Sequence, residues 1–327
     1  MAKLGDTRLC LLCGDGGTQA EGNRFTTVTT KTREGEGLWI RCERCGLVIN
    51  RGGITPAQQR EFYNRAYVTA NSYERGTMQS PQAHFDARLE SIQPIADSIA
   101  PFLSSSMRVL EIGAATGELL HLLRGKAGYF YALEIIEEYT AFIRDHLGFD
   151  AGSVDYLERS FTAPFDFVIA VNTLDHLADP KSVLRKIHAD LSAGGHVYIE
   201  CPNDSQALKT CLPEPQRSHF AAFMYQQAHN YSFTFDTLGK LMELCGFRIV
   251  QQQSRHDYTL LNYLNWYFRA TPQASFNIAT TRVHIHDETT QFGIHINALL
   301  RGADAEFRAI MRETGSGESL CVLAQKA

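Results

Sequence analysis

The stretch Met107-Arg108-Val109-Leu110-Glu111-Ile112-Gly113-Ala114-Ala115-Thr116-Gly117 decides the fold. Its first seven residues read as a buried strand. Ala114 to Gly117 form a turn, and Glu118 to Arg124 read as a helix. A strand, a glycine turn and a helix bring backbone close to a ligand at the carboxyl end of a sheet. Gly113 and Gly117 permit that approach because neither carries a Cβ. No Gly-Lys-Ser/Thr follows, so this is not a P-loop. Ala115 stands where the pattern Gly-x-Gly-x-x-Gly has its middle glycine.

Working outward, a second strand runs from Gly128 to Leu133 and ends at Glu134, 21 residues beyond Gly113. An acid at that distance accepts hydrogen bonds from both hydroxyls of a ribose. A third, shorter strand ends near Val154-Asp155, where Asp155 can accept from an adenine amino group. Phe165 to Val171 is nearly continuous in apolar residues, as expected of a strand covered on both faces. It ends at Asn172, before Leu174-Asp175-His176 and Asp179-Pro180. A helix to Leu191 and a fifth strand, His196 to Cys201, follow the same alternation. Gly246 to Val250 and Ser319 to Ala324 supply two more strands. Alternating strands and helices predict an α/β, doubly wound, Rossmann-like sheet of seven strands.

Near the start, Cys10 and Cys13 form one Cys-x-x-Cys pair and Cys42 and Cys45 a second, with 28 residues between them. Two such pairs present four thiolates to one tetrahedral cation, so the expectation is a structural zinc site in a zinc ribbon. Phe25 to Lys31 and Leu38 to Ile40 supply its β-like runs. Four ligands leave no open coordination position, which makes the metal a staple. Cys201, Cys211, Cys245 and Cys321 lack pair spacing and read as buried apolar residues.

The expected organisation is a zinc-binding ribbon over 1–55, a helical bridge or lid over 56–105, the sheet core over 106–253, and a C-terminal insertion with the last strand over 254–327. In the bridge, Thr55-Pro56 reads as a helix start. Tyr63 and Tyr67 share a helical face, and Tyr67 and Tyr73 either pack on the next domain or close over ligand. Phe85, Leu89, Ile92, Ile95, Ile99 and Phe102 have the spacing of an amphipathic helix. In the insertion, the alternation Val283-His284-Ile285-His286 reads as a strand, and Glu306 to Arg312 as a short helix.

A hydrophobic fraction of 44% supports a buried core and excludes a mostly disordered chain. The net charge of −5 lacks the basic excess of a general nucleic-acid binder, so none is expected as partner. Residues 1–55 hold eight Lys or Arg against six Asp or Glu. With four thiolates and one zinc the ribbon is about neutral. No apolar stretch approaches the roughly 20 residues of a membrane span. Met1 to Cys10 lacks the apolar core of a signal peptide, so a cytoplasmic location is expected.

Val109 to Gly117 resembles motif I of the class I S-adenosylmethionine-dependent methyltransferases. Glu134 matches that family's ribose-binding acid, Asp155 its adenine contact, and Phe165 to Pro180 its fourth strand and following loop. The resemblance implies S-adenosylmethionine as cofactor, a last strand inserted antiparallel, and contacts from Glu111, Gly113, Ala115, Gly117, Glu134, Ile135, Asp155 and Asn172. With the cysteine pairs and the tyrosine-bearing bridge, the chain is similar to the sugar C-methyltransferases that act on nucleotide-linked deoxysugars. It departs from them in the short C-terminal part. The implied substrate is a small, sugar-type molecule methylated at carbon or oxygen. A zinc-ribbon RNA methyltransferase and a methyltransferase of another small natural product are the alternatives. Methyl transfer needs alignment, exclusion of water and, for a hydroxyl or activated C–H, a base. His229, followed by Phe233-Thr234, fits the position of the sugar enzymes' histidine, although Ala228 replaces their glutamate. Tyr67 and His176 are the further catalytic candidates, and His219 a weaker one.

Overall fold

The two β-like runs between the cysteine pairs hydrogen-bond to each other as an antiparallel hairpin, Phe25–Thr32 (β1) and Gly35–Cys42 (β2). Val48–Asn50 (β3) adds to β2, with Trp39 opposite Asn50. The fourth strand comes from far along the chain: Tyr231–Ser232 pairs with β3, Val48 opposite Ser232. Trp39 and Val48 bury against Tyr225, whose ring lies 4.8 Å from the indole. The computed structural model describes residues 10–14, 25–53, 55, 80–281, 283 and 285–327. The helix start at Pro56 and Tyr63, Tyr67 and Tyr73 lie outside them, as does His284.

The chain folds as two units that interleave in sequence. One comprises Met1–Gly52, Pro202–Phe235 and Gln253–Cys321; the other comprises Gly53–Cys201, Asp236–Gln252 and Val322–Ala327. The first described helix of the second unit is Pro81–Ile99 (α1). The Ser80 hydroxyl caps it by accepting from the Ala83 amide at 3.2 Å, and Pro81 stands in its first turn. Phe85, Ile92, Ile95 and Ile99 bury the predicted face.

Arg108–Ile112 (β4), Tyr129–Leu133 (β5) and Asp150–Gly152 (β6) are parallel, with Glu118–Leu122 (α2) and Glu137–Phe142 (α3) between them. Phe165–Val171 (β7) and Leu191–Pro202 (β8) continue the parallel set, joined by helix Pro180–Asp190 (α4). Asp179 caps α4 through the Ser182 amide. β6 ends at Gly152, short of the expected Val154-Asp155. β8 starts at Leu191, earlier than the expected His196, and continues through the glycines at 194 and 195.

After β8 come helices Leu208–Cys211 (α5) and Gln216–Met224 (α6), strand Tyr231–Ser232 (β9), helix Phe235–Leu244 (α7), strand Phe247–Arg255 (β10), helices Leu260–Arg269 (α8), Phe276–Thr280 (α9) and Gln291–Glu313 (α10), and strand Ser319–Lys326 (β11). The large sheet has the order β10-β11-β8-β7-β4-β5-β6, mixed, with the last strand antiparallel. β4 lies inside the sheet between β7 and β5, Val109 flanked by Phe130 and Phe167. The chain winds outward to β6 and then returns to β7 on the other side of β4. Loops leaving β4 and β7 part at this switch point, which is where open α/β sheets bind ligands.

Two expectations for the insertion are corrected. Val283, Ile285 and His286 form no strand; the Ile285 and His286 amides instead donate to Asn297 Oδ1 on α10, each at 3.2 Å. The helix expected at Glu306 to Arg312 is the end of α10, 23 residues long and capped by Thr290. Trp266 is core, buried with Leu208, Leu212, Phe220 and Met311. Cys201, Cys245 and Cys321 are buried as expected, whereas Cys211 is exposed. Among the described residues no helix is long and apolar enough to cross a membrane.

Candidate active site

The chain leaves β4 through three left-handed positions, Gly113 (φ 77°), Ala115 (φ 47°) and Gly117 (φ 85°). A Cβ at Gly113 would lie 2.3 Å from Thr173 Oγ1, so space and dihedral both require glycine there. Ala115, where the dinucleotide pattern has glycine, adopts the left-handed conformation in spite of its Cβ. An L-residue is held there only by its surroundings.

Glu134, at the end of β5, supplies part of that hold. Its Oε2 accepts from the Ala115 amide at 2.9 Å and its Oε1 from the Ile136 amide at 3.0 Å. Ile135 lies half-buried in the turn between them. Burial pushes the Glu134 carboxyl up and the amides of Ile136, Ala115 and Ile135 pull it down, leaving it at about 7. Glu111, on β4, is also buried, and among the described residues its Oε2 has no hydrogen-bond partner. Burial first, then the charges of Glu118 and Glu134, raise it well above the ordinary carboxylate range. The cradle therefore gathers Glu111, Gly113, Ala115, Gly117 and Glu134 around one loop. It offers desolvated carboxyl acceptors at Glu111 and Glu134. An adenosyl sulfonium carries hydroxyl donors and positive charge, and these residues fit it.

The other predicted positions lie as follows. Asp155 follows β6, half-buried, and its Oδ1 accepts from the Leu157 amide at 2.8 Å. Asn172, at the end of β7, is left-handed (φ 48°), has an exposed side chain, and donates its amide to the Glu200 carbonyl at 2.8 Å. His176 is buried in a short turn beside Asp175, Nε2 to Oδ2 3.5 Å. His229 lies in the first unit, just before β9, and His219 is exposed on α6. The candidate base sits in a segment fixed by Asn50 of β3. Asn50 Nδ2 donates to the His229 carbonyl at 2.8 Å, and the Asn50 amide to the Asn230 carbonyl at 3.0 Å. Tyr67 is outside the described residues.

The four N-terminal cysteines come together. Their sulfurs all lie within 4.8 Å of one another, Cys10 to Cys45 at 3.3 Å and Cys13 to Cys42 at 3.8 Å. A tetrahedral zinc with Zn–S of about 2.3 Å puts its sulfurs about 3.8 Å apart, so the donor set fits that ion. The two knuckles are alike. Gly14 (φ 61°) donates to the Cys10 carbonyl at 2.9 Å, and Gly46 (φ 80°) to the Cys42 carbonyl at 2.8 Å. Burial pushes the Cys10 thiol up to about 12 and those of Cys13 and Cys45 up to about 11. A divalent cation would supply the charge that such a thiolate cluster needs.

Sequence reasoning missed two charged networks. In the first unit, Asp204 is buried and accepts from Lys209 Nζ (2.7 Å), Tyr225 OH (2.7 Å), Ser232 Oγ (3.0 Å) and Arg41 (2.9 Å). Burial would raise its carboxyl, but Lys209 and Arg41 outweigh that and hold it below the ordinary value. Arg41 also donates to the Gly46 carbonyl at 3.3 Å, so this network anchors the second knuckle. In the second unit, His84, Arg88, Thr116 and Glu118 form a cluster against the glycine loop. Neither set has a local signature; only Thr116 and Glu118 stand beside the glycines.

Among known proteins, the ubiquinone biosynthesis O-methyltransferase of Xylella fastidiosa is 27% identical over 129 residues. The match covers 36% of this chain and 52% of the relative, so the chain spans about half the length of the curated relatives it matches. An S-adenosylmethionine-dependent methyltransferase from Archaeoglobus fulgidus is similar in structure, with TM-score 0.49 and 18% identity over 75% of this chain and 97% of the other. Magnesium protoporphyrin IX methyltransferase from Synechocystis gives TM-score 0.43 and 12% identity over 82% and 95%. The family profile described as a methyltransferase domain matches residues 84–252, from α1 into β10. That match spans just over half of the chain, and the chain accordingly belongs to the methyltransferase-domain family.

Proposed function

We propose that this S-adenosylmethionine-dependent methyltransferase acts on a small sugar-type acceptor, a nucleotide-linked sugar or glycan precursor, at carbon or oxygen. The cofactor supplies a methyl group activated on a sulfonium. Glu134 holds the ribose hydroxyls, Glu111 faces the cationic part, and the Gly113 to Gly117 loop lets backbone approach. Asp155 and Asn172 complete the nucleoside side. His229 takes the proton from the acceptor as the new bond to the methyl carbon forms and the bond to sulfur breaks. Zinc on Cys10, Cys13, Cys42 and Cys45 is structural.

One observation supports His229 as the base, the role its counterpart has in the sugar methyltransferases that the chain resembles. The four-stranded sheet that carries Cys42 includes β9, which begins two residues after His229, and Asn50 of that sheet holds the His229 carbonyl. The ribbon thus fixes the segment bearing the candidate base, which gives the cysteine module a catalytic purpose without an open metal position. A second reading, O-methylation of a small acceptor other than a sugar, is favoured by the similarity to the Xylella ubiquinone biosynthesis O-methyltransferase. The test is a radiolabelled-methyl screen against nucleotide-linked keto sugars, their non-keto counterparts, and phenolic acceptors. Transfer to a sugar is expected. Transfer to phenols alone would replace the first reading by the second.

A further inference from the structure

We propose that His84 and Arg88, on α1, are positioning residues for the cofactor loop, and that they act on it through Glu118 and Thr116. The argument begins with the left-handed Ala115. Strain of this kind persists only where neighbours over-determine the backbone. Glu134 restrains the loop from one side through the Ala115 amide. Thr116 is the next residue, fully buried, and it is tied from the other side.

The Thr116 hydroxyl donates to Glu118 Oε1 at 2.8 Å. Its one proton is thereby used, so its contact with His84 Nδ1 at 3.0 Å has the ring nitrogen as donor. That assigns the Nδ1–H form to His84. Arg88 Nε lies 3.4 Å from the same Glu118 oxygen. His84 and Arg88 are four residues apart and share one helical face. The His84 ring packs on Tyr139 of α3, centroids 5.2 Å apart, which fixes its plane.

The charges divide accordingly. Glu111, Glu118 and Glu134 are three buried carboxylates around one loop. Burial would raise Glu118, but the hydrogen bond from His84 and the charge of Arg88 outweigh it and keep Glu118 ionised. Glu118 is thus used within the protein, while Glu111 and Glu134 are left for the ligand. α1 thereby sets the loop's conformation, and the loop sets cofactor affinity.

The test is calorimetric titration of the full chain with S-adenosylhomocysteine, beside the melting temperature of each unliganded variant. Thr116→Val keeps the side-chain shape and deletes the hydroxyl; His84→Leu removes the donor. Each is expected to weaken binding about tenfold, the order of one hydrogen-bonded node. The two together should cost little more than either alone, because they break one chain of bonds. His84→Asn, whose Nδ2 takes the place of Nδ1, should restore most of the affinity. Ala115→Gly in the Thr116→Val background should do so as well, because glycine needs no restraint at positive φ. Binding within twofold of the parent in both single variants would overturn the proposal. So would weakened binding that neither His84→Asn nor Ala115→Gly recovers. If the unaltered protein fails to bind this compound, the methyltransferase assignment fails instead of the positioning role.

Discussion

Replacing Glu134 by alanine should weaken S-adenosylmethionine binding at least about a hundredfold. A ribose presents two hydroxyl donors, and a hydrogen bond to a charged group contributes roughly 1.5 to 3 kcal/mol, so losing both costs about 3 kcal/mol or more. The Ala115 amide, bonded to Glu134 at 2.9 Å, loses its acceptor at the same time. Glu134→Gln is the finer probe. Both carboxylate oxygens accept amide protons, and a carboxamide can satisfy only one of Ala115 and Ile136. Titration adds an independent signature. With its carboxyl at about 7, the free protein holds a proton on Glu134 that an ordinary glutamate, at 4.5, would have lost. Hydroxyl donors favour the charged form, so binding near pH 7 should release roughly half a proton. Calorimetry in phosphate and in Tris should give different enthalpies, and affinity should rise from pH 6 to 8. Folding runs the other way. Between pH 4.5 and 7 the folded state binds more protons at this site than the unfolded chain, so stability falls as pH rises through that window. The limit is about 3 kcal/mol, from 1.36 kcal/mol per pH unit. Glu134→Gln should flatten that slope. Buffer-independent enthalpies together with an unchanged Kd in Glu134→Ala would refute the reasoning.

Metal analysis should find about one zinc per chain, and Cys42→Ser or a strong chelator should lower the melting temperature; a metal-free, equally stable protein would end the zinc assignment. Asp204→Ala leaves Lys209 buried without its partner and should cost about 3 to 5 kcal/mol in denaturant unfolding, so a loss under 1 kcal/mol would show that the network contributes little. Ala115→Gly removes roughly 1 to 2 kcal/mol of left-handed strain and adds roughly 0.4 to 1 kcal/mol of unfolded-state entropy, so the melting temperature should hold or rise. His229→Gln should lower turnover with cofactor affinity unchanged; equal turnover removes it as base.

The parts that were legible in the chain are those with local causes. β4 and β7 are mostly apolar because neighbouring elements cover both faces, and Ser80-Pro81 and Asp179-Pro180 announce their helices by capping chemistry. The cysteine spacing was enough to bring four sulfurs together. What stayed hidden depends on partners distant in sequence. β9 has two residues and no period to read, and it exists because Val48 and Ile49 offer an edge. The sequence from Val283 to His286 alternates like a strand, but Asn297 takes the Ile285 and His286 amides, and among the described residues no strand pairs with them. Glu118 looks like any first-turn acid until His84 and Arg88 face it from α1.

The interleaving of the two units limits how this protein can be taken apart. Six stretches of chain alternate between them, which makes five crossings. Cutting the backbone once cannot liberate either half. Removing the first fifty residues would not trim an appendage, because it strips β1, β2 and β3 from a sheet and leaves β9 with a bare edge. The cysteine module is therefore neither a detachable tag nor a portable cassette, and a truncation meant to isolate the second unit should yield an aggregation-prone fragment.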